Sequence, residues 1–412
     1  MAGRDGEVRR RQVFYLPGYD PFPARRYREL YRTEAALQSQ VSGHSIRVSP
    51  SGKDPTGWRV AAEIEGRPVE TEFAVLVWSD IVKESMGQGI RATYLQLFRT
   101  ASVYVLTGAI FRVARLRKGP AIAALYPVAV LLLELAAAVL VGIAAASAIG
   151  RAVPTGASAA ADWTLSAAAF ALATAAVLAG FRRLDRHVYA YYLMHDYAHT
   201  ARHAGAYPPD LSRRLSAFGD RVAAALAGDA DEVMVVGHSS GAHLAVSLLA
   251  DLVRSGRVPA GGPGLALLTL GHVVPMVSFL PAAVRLRSDL ALLSAQDGIA
   301  WVDVTAPGDG CAFALCDPVA VSGVAPAGKR WPLVISAAFS RTLSPERWRA
   351  LRWRFLRLHF QYLCAFDRPG DYDYFAITAG PQTLARRYAG RPPSPSRIEM
   401  PRSGYTSTAG AA

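Results

Sequence analysis

Cysteine is scarce in this sequence, and the few cysteines do not form a recognisable metal or redox motif. Cys311, Cys316 and Cys364 occur in 412 residues, and none of them lies in the CxxC pattern of redox and zinc sites. Three thiols cannot all pair with one another, so we predict unpaired cysteines in a reducing compartment. The stretch Met1–Gln12 is polar and arginine-rich with no apolar run behind it, which predicts that no secretory signal peptide is present.

Features of nucleic-acid-binding proteins are also missing, although the formal net charge is +13. The sequence has no basic stripe interleaved with aromatic residues, no recognition-helix pattern and no zinc-finger spacing. Nearly all of the positive charge is arginine, and much of it lies beside long apolar segments. This distribution favours an anionic lipid surface as a partner and argues against nucleic acid.

Two long apolar segments account for much of the hydrophobic content. They are Ala121–Ile149 and Trp163–Phe181, and a helix needs about 20 apolar residues to cross a bilayer core of about 30 Å. The short connection Gly150–Asp162 forces two such helices to run antiparallel. We therefore predict a transmembrane hairpin; the alternative is a buried helical pair in a soluble protein.

The charges that flank the hairpin predict its orientation. Basic residues lie before the first segment and after the second one, at Arg112, Arg115, Arg117, Lys118, Arg182, Arg183 and Arg186. The connecting loop has only Arg151, which Asp162 balances. Because basic flanks stay in the cytoplasm, we expect a multi-pass protein of the cytoplasmic (inner) membrane whose catalytic domain faces the cytoplasm.

One carboxylate interrupts the first apolar segment. Glu134 lies near its middle, where an ionised side chain costs about 2.5 kcal/mol or more. It is either a proton or ligand site, or a neutral side chain hydrogen-bonded to Thr174 or Ser166 across the hairpin. Nothing else polar accompanies it, which favours the second interpretation.

The remaining chain alternates short apolar strands with amphipathic helices. The predicted strands are Gln12–Leu16, Ser45–Val48, Trp58–Ile64, Phe73–Trp78, Glu232–Val236, Ala266–Leu270, Ile299–Val304 and Leu333–Ala337. The predicted helices include Ala24–Gln40, Arg91–Val113, Asp185–His203, Pro209–Leu226 and His243–Arg254. This alternation predicts an α/β fold with a doubly wound, mostly parallel sheet, into which the two-helix transmembrane hairpin is inserted.

The most informative passage is a strand, a glycine-bounded turn and a helix around Ser239. The turn reads Gly237-His238-Ser239-Ser240-Gly241, a GxSxG pattern that follows the apolar run VMVV and precedes an alanine-rich helix. This setting is typical of a nucleophile elbow, in which small neighbours let strand and helix pass closely. We predict that Ser239 is a nucleophile. A purely structural glycine turn is the alternative.

A serine nucleophile needs a base and an acid that orients the base. In this arrangement the chain order is serine, acid, histidine. Of the two later histidines, His272 leaves no room for an acid before it, so His359 is the predicted base. Asp309 is the predicted acid because it lies in a loop just past a strand, and Asp303 is the next choice, followed by Asp317.

Acyl transfer also needs two N–H donors for the oxyanion. The residue after the nucleophile, Ser240, supplies one of them. The turn that follows the first strand, Pro17-Gly18-Tyr19, is placed to supply the Tyr19 N–H. An ordinary turn is the alternative interpretation of that segment.

Three histidines recur at helical spacing. His195, His199 and His203 lie four residues apart and would share one stripe of a helix. No glutamate lies between them as in HExxH. We interpret them as a polar, partly exposed face near the membrane, and we predict no metal site.

Together these residues resemble the lipase class 3 branch of the α/β-hydrolases. The likeness lies in the elbow, in Leu267-Leu268-Thr269-Leu270-Gly271, in the loop from Trp301 to Asp309, and in His359 and Tyr362. Tyr15-Leu16-Pro17-Gly18-Tyr19 resembles the oxyanion turn of the wider superfamily. The resemblance covers roughly residues 12–40 and 232–364, and it implies ester hydrolysis through an acyl-enzyme without metal or cofactor. The hairpin is a departure, as is Pro17 where many members have histidine.

The sequence thus predicts a membrane-anchored serine hydrolase that cleaves carboxylic esters, with lipid or acyl esters as substrates and the bilayer as partner. Residues 12–110 and 184–385 form the two parts of the hydrolase domain, 119–183 the transmembrane hairpin and 386–412 a disordered tail. An acyltransferase or thioesterase with the same triad remains possible on these residues, as does a catalytically inactive membrane scaffold. The leaving group and the oligomeric state do not follow from the sequence.

Overall fold

The computed structural model describes residues 6–52, 54–87, 89–152 and 158–409. One sheet of eight strands organises this part of the chain. The strands are β1 (Arg10–Leu16), β2 (Ser45–Pro50), β3 (Gly57–Ile64), β4 (Arg67–Val75), β5 (Glu232–His238), β6 (Gly264–Leu270), β7 (Ile299–Thr305) and β8 (Leu333–Ser336). Across the sheet their order is β2-β3-β4-β1-β5-β6-β7-β8.

The sheet is mostly parallel. β3 pairs antiparallel with β2 and with β4, whereas all neighbours from β4 through β1 to β8 are parallel. Every residue of β5 and of β7 is buried, while exposed and buried residues alternate along β3. Continuous apolar strands are expected where helices cover both faces of a sheet. The predicted α/β fold with a mostly parallel sheet is confirmed.

Helices fill the connections between strands. Within the described residues they are α1 (Ala24–Ser42), α2 (Ser79–Met86), α3 (Ile90–Leu106), α4 (Ala109–Leu116), α5 (Lys118–Ala152), α6 (Ala159–Val188), α7 (Ala190–Ala201), α8 (Pro209–Leu226), α9 (Ser240–Arg254), α10 (Val274–Ser278), α11 (Val284–Ser294), α12 (Pro318–Val321), α13 (Phe339–Thr342), α14 (Pro345–Leu351), α15 (Phe355–His359), α16 (Tyr374–Ala379) and α17 (Leu384–Arg387). A short 3₁₀ turn, Gln361–Leu363, follows α15.

Alternate side chains of the central strands pack into two separate hydrophobic cores, one on each face of the sheet. Val13 and Tyr15 of β1 pack on the side of α1 and the C-terminal helices. Phe14 and Leu16 of the same strand pack on the side of α8, α9 and α11. This division follows from the two-residue period of a strand. The two cores hold the sheet between helical layers, so the loops at its edge have a rigid support.

The helix predicted over Arg91–Val113 is broken in the structure. α3 ends at Leu106 and α4 begins at Ala109, with a bend of 72° between them. Gly108 at the bend has φ of +72°, a conformation that glycine adopts without a Cβ penalty. The apolar pattern continues through the break, which is why the sequence indicated a single helix.

α5 and α6 pack antiparallel along each other. A Cβ added to Gly142 would lie 2.3 Å from Thr174 Oγ1, and one added to Gly150 would lie 3.3 Å from Ser166 Oγ. Both helices are long and apolar enough to cross a membrane by length and composition, and α3 with α4 would count as a third span if the bent pair were one. Residues 153–157 of the predicted connecting loop lie outside the described residues.

The hydrogen bonds considered for Glu134 do not form. The Thr174 hydroxyl donates to the carbonyl of Ala138 at 3.4 Å, and Ser166 faces Gly150. Oε2 of Glu134 is buried and has no hydrogen-bond partner in the described part of the chain. The expected bond across the hairpin was therefore wrong, because the helix register places Thr174 one turn farther along α5.

The helix predicted over Asp185–His203 is also divided. α6 runs on to Val188, and Tyr189 turns the chain with φ of +62° before α7 begins. The Asp185 carboxylate accepts hydrogen bonds from the N–H groups of Tyr191 at 2.9 Å and Tyr192 at 3.3 Å. It thereby satisfies donors at the first turn of α7 that have no partner within the helix.

Residues 386–409 of the predicted disordered tail follow a defined path, and residues 410–412 lie outside the described residues. Ser394 N–H donates to the carbonyl of Val334 in β8 at 2.9 Å, and Ile398 N–H donates to that of Leu315 at 2.7 Å. Arg287 Nε donates to the carbonyl of Ser407 at 2.9 Å. Tertiary hydrogen bonds of this kind order a segment whose composition alone favours disorder.

Gly241, in the first turn of α9, lies so close to the backbone of β1 that an added side chain should destabilise the fold. A Cβ on Gly241 would lie 2.1 Å from the carbonyl oxygen of Leu16, whereas one on the exposed Gly298 would meet nothing within 4 Å. We expect Gly241→Ala to lower the free energy of unfolding by about 3 kcal/mol, and Gly298→Ala to change it by less than about 0.5 kcal/mol. Denaturant unfolding in detergent measures both; equal stabilities would contradict the packing described here.

Candidate active site

Ser239 occupies a strained turn between β5 and α9. Its φ and ψ are +58° and −122°, a conformation that is unfavourable for a residue with a side chain. Two glycines make the turn possible: a Cβ on Gly237 would lie 2.6 Å from the carbonyl oxygen of Gly241, and Gly241 itself contacts the backbone of β1. The predicted strand–turn–helix is present, and Ser239 is the residue at its apex.

The loop after β1 lies directly against Ser239. A Cβ on Gly18 would be 2.9 Å from Ser239 Cβ and 3.4 Å from its Oγ. Neither the Tyr19 N–H nor the Ser240 N–H donates a hydrogen bond to an acceptor within residues 6–52, 54–87, 89–152 and 158–409. Both residues are buried. The two N–H groups predicted for an oxyanion are thus uncommitted and adjacent to the serine.

Asp309 and His359 form a buried hydrogen-bonded pair. His359 Nδ1 lies 2.7 Å from Asp309 Oδ2, and both side chains are almost fully buried. The Tyr362 hydroxyl donates to the same oxygen at 3.0 Å, and the Cys311 N–H donates to Oδ1 at 2.9 Å. Burial acts to raise the pKa of Asp309, but His359 and these hydrogen bonds outweigh it and lower the pKa. The carboxylate is therefore ionised and fixes the imidazole with Nδ1–H towards it.

The other acids considered from the sequence lie elsewhere. Asp303 accepts a hydrogen bond from the Thr269 hydroxyl at 2.6 Å and lies 3.6 Å from His272 Nε2. Burial raises its pKa well above the usual range. Asp317 accepts hydrogen bonds at the start of α12 and pairs with Lys329. Of the three candidates, the structure brings Asp309 to His359.

The second nitrogen of His359 remains free. Nε2 is buried and has no hydrogen-bond partner among the described residues. His238, which precedes the serine, donates from its own Nε2 to the His359 carbonyl at 2.9 Å, with the two ring centroids 4.8 Å apart. Gly271 leaves room for the ring, since a Cβ there would be 3.1 Å from His359 Cε1. The imidazole is thus held beside the turn that carries Ser239.

A cluster of possible metal ligands coincides with this pair. Donor atoms of Asp309, Cys311 and His359 all lie within 4.8 Å of one another. The hydrogen bond at 2.7 Å holds His359 Nδ1 against Asp309 Oδ2, and burial raises the pKa of the Cys311 thiol well above its usual range. The hydrogen-bonded pair is the arrangement that proton transfer at His359 Nε2 requires.

The three histidines at helical spacing do not converge on one point. His195 is buried and its Nδ1 lies 2.8 Å from Gln96 Oε1 of α3. The His199 ring packs against Tyr19, with centroids 5.6 Å apart, whereas His203 is exposed. The predicted exposed polar face was wrong for His195, because α7 packs against α3 on one side and over the loop of Tyr19 on the other.

α7 covers the loop of Tyr19, the predicted oxyanion loop, and no sequence pattern indicated this placement. The Tyr192 hydroxyl donates to the carbonyl of Tyr19 at 2.5 Å and so fixes that peptide. Beneath α7 lies a cavity of about 20 Å³, which suits one water-sized group. Asp196, Ser240 and His243 are among the residues that line it. These lining residues are distant in sequence, and only the placement of α7 reveals them.

Comparison with known proteins adds no relative. No protein-family model matches the chain, and no curated protein or solved structure is significantly similar to it. The chemistry of the site therefore has to follow from its own residues.

Buried imidazoles near the sheet predict loss of stability in acid. Burial lowers the pKa of His238 and His243 to about 3 and that of His272 to about 4, from 6.5. Between these values the unfolded chain binds protons that the folded chain does not, so stability falls as the pH drops below 6.5. At pH 5 each such imidazole lowers the free energy of unfolding by about 2 kcal/mol.

The contribution of one imidazole can be measured directly. The free energy of unfolding should fall between pH 7 and pH 5 in the wild type. We expect this fall to be about 2 kcal/mol smaller in His243→Gln. The glutamine keeps an acceptor for the Tyr207 hydroxyl, which lies 2.9 Å from His243 Nδ1. Exposed His203→Gln serves as the control and keeps the wild-type slope. Parallel slopes for all three proteins would refute the assignment.

Proposed function

We propose that this protein is a membrane-anchored serine hydrolase of the α/β-hydrolase class that cleaves carboxylic esters through an acyl-enzyme. The observation that carries the proposal is the buried Asp309–His359 pair beside Ser239, which stands at an apex with positive φ. Strain at one non-glycine residue is typical of functional sites. A buried ionised acid that orients a histidine with a free nitrogen is the arrangement that activates a serine.

The proposed reaction assigns one role to each of these groups. Ser239 Oγ attacks the ester carbonyl while His359 Nε2 accepts its proton and then donates it to the leaving alcohol. Asp309 keeps Nδ1–H oriented and stabilises the imidazolium. Water then enters, loses a proton to Nε2 and attacks the acyl-enzyme, which releases the acid and regenerates Ser239. No hydrogen bond joins Ser239 to His359 within the described residues, and such contacts often tighten only with substrate present.

The oxyanion of each tetrahedral intermediate needs donors that are already in place. Tyr19 and Ser240 offer N–H groups without partners among the described residues, the former from the loop after the neighbouring strand β1. In α/β-hydrolases the two donors come from these two positions. The strand order supports membership of that class, and the likeness to lipase class 3 remains a proposal.

Exposed apolar surface supports the membrane anchor. The most apolar stretch of α6 has no buried residue, and Leu133, Leu140 and Leu172 are about two-thirds exposed or more. A contiguous apolar surface of this size is unfavourable in water and favourable in a bilayer. Together with the basic flanks, it supports a hairpin of the inner membrane with the catalytic domain in the cytoplasm.

The path of the chain favours a lipophilic substrate. α7, which covers the oxyanion loop, begins two residues after α6 ends. The proposed site therefore lies close to the end of a proposed membrane span, where an ester can arrive from the bilayer. We accordingly propose lipid or acyl esters as the substrate class.

Chemical labelling tests the nucleophile. We expect a fluorophosphonate probe to label the protein at Ser239, as mapped by mass spectrometry. Ser239→Ala and His359→Ala should lower esterase activity on the order of 10⁴-fold or more, because triad members act as a unit. Ser255→Ala, at the far end of α9, is the matched control and should behave as wild type.

The outcomes separate the alternatives. A folded protein that is not labelled at Ser239 would favour an inactive scaffold and refute the hydrolase. Ser239-dependent activity that transfers the acyl group to an added alcohol or thiol faster than to water would favour an acyltransferase instead.

Site-directed labelling tests the topology. In a background without native cysteines, Ser158→Cys places a thiol in the loop between α5 and α6, and Ser255→Cys places one on the catalytic domain; both positions are exposed. We expect a membrane-impermeant maleimide to label Ser158→Cys in cells with a permeabilised outer envelope and an intact inner membrane. Ser255→Cys should react only after the inner membrane is disrupted. Equal labelling of both in intact membranes would refute the hairpin.

A further inference from the structure

A carboxyl group without a partner lies in the cavity beside the proposed nucleophile. Asp196 of α7 is half-buried and lines the cavity that also touches Ser240 and Tyr19. It makes no hydrogen bond and no ion pair with any residue the structure describes. Burial raises its pKa to about 7, and His359 nearby opposes that rise. Its carboxylate oxygens are therefore free to accept hydrogen bonds from a group outside the chain.

The cavity contains no cation of its own. Its lining has no lysine or arginine, and the rings of Trp78 and Tyr207 form part of its wall. Burial lowers the pKa of His199 to about 4 and that of His243 to about 3, so both imidazoles are neutral near pH 7. One carboxylate among aromatic and neutral side chains forms a site that attracts a positively charged group.

Size and position restrict which cation fits. The volume of about 20 Å³ holds one water-sized group such as a primary ammonium, whose N–H groups can donate to Asp196, whereas a trimethylammonium has none to donate. Ser240 lines the same cavity, and its N–H is one of the proposed oxyanion donors. A cation bound at Asp196 would therefore lie close to the proposed oxyanion donors and to the ester carbonyl they would hold.

We propose that Asp196 binds a primary ammonium group on the acyl part of the substrate, which makes aminoacyl esters the substrate class. This inference rests on the proposed serine hydrolase. Asp196 is a specificity residue in this assignment. It does not replace Asp309, which already occupies His359 Nδ1.

Two isosteric esters provide the test. Alanine and isobutyrate 2-naphthyl esters differ only in an ammonium against a methyl group, and the measurement is the ratio of their kcat/KM values at a pH where the amine is protonated. We expect the wild type to prefer the alanine ester by about 10- to 100-fold, the range of one hydrogen bond to a charged group. Asp196→Asn should bring the ratio close to one, and the N-trimethylated alanine ester should lose the preference in the wild type.

A control variant and two results that would overturn the inference complete the test. Asp220→Asn, an exposed residue of α8, should keep the wild-type ratio. A wild-type ratio of one or less overturns the inference, and this result needs no variant to fold. If Asp196→Asn changes both esters equally, Asp196 acts through His359 and the inference also fails.

The failure of the inference is distinguishable from failure of the proposed function. Ser239-dependent cleavage of the isobutyrate ester without preference for alanine leaves the hydrolase intact and removes only the role of Asp196. Cleavage of neither ester, together with no fluorophosphonate labelling, overturns both.

Discussion

The contact between the start of α9 and the backbone of β1 is the constraint on which the site depends. Gly241 lies so close to the carbonyl of Leu16 that no side chain fits between them. This approach forces the turn at Ser239 into a positive φ and brings the loop of Gly18 against the serine. One steric requirement thus sets the position of the proposed nucleophile, of its neighbouring strand and of one of the two proposed oxyanion donors. The two cores on either side of the sheet supply the stability that holds the strain.

The second constraint is electrostatic. A buried carboxylate is stable only when hydrogen bonds and a compensating partner offset its loss of hydration. Asp309 has three donors, from His359, Tyr362 and the Cys311 backbone. Asp303, two residues before the end of β7, accepts a hydrogen bond from Thr269, and burial raises its pKa well above the usual range. The different surroundings of two aspartates on the same strand–loop unit thus shift their pKa values in opposite directions.

The chain connects the apolar helix pair to the site without a linker. The turn at Tyr189, capped by Asp185, redirects the chain from α6 into α7, and Tyr192 of α7 holds the Tyr19 peptide. α7 is the single helical segment between α6 and the loop of Tyr19, so a displacement of α6 would also move that loop. This continuity relates the proposed membrane anchor to the proposed chemistry, and it places Asp196 above the cavity.

Local patterns determined much of this protein by themselves. Apolar runs and glycine-bounded turns were sufficient to predict the eight strands and the two apolar helices, because each depends on a short stretch of sequence. A known chain order was sufficient to select Ser239, His359 and Asp309 as the site residues that remain a proposal. The breaks at Gly108 and Tyr189 and the ordered tail were missed, since tertiary contacts compensate there for unfavourable local propensity. Only the tertiary structure decided that Asp309 rather than Asp303 meets His359, and that Asp196 faces the cavity. These are distances between segments far apart in the chain, and packing sets them rather than local sequence.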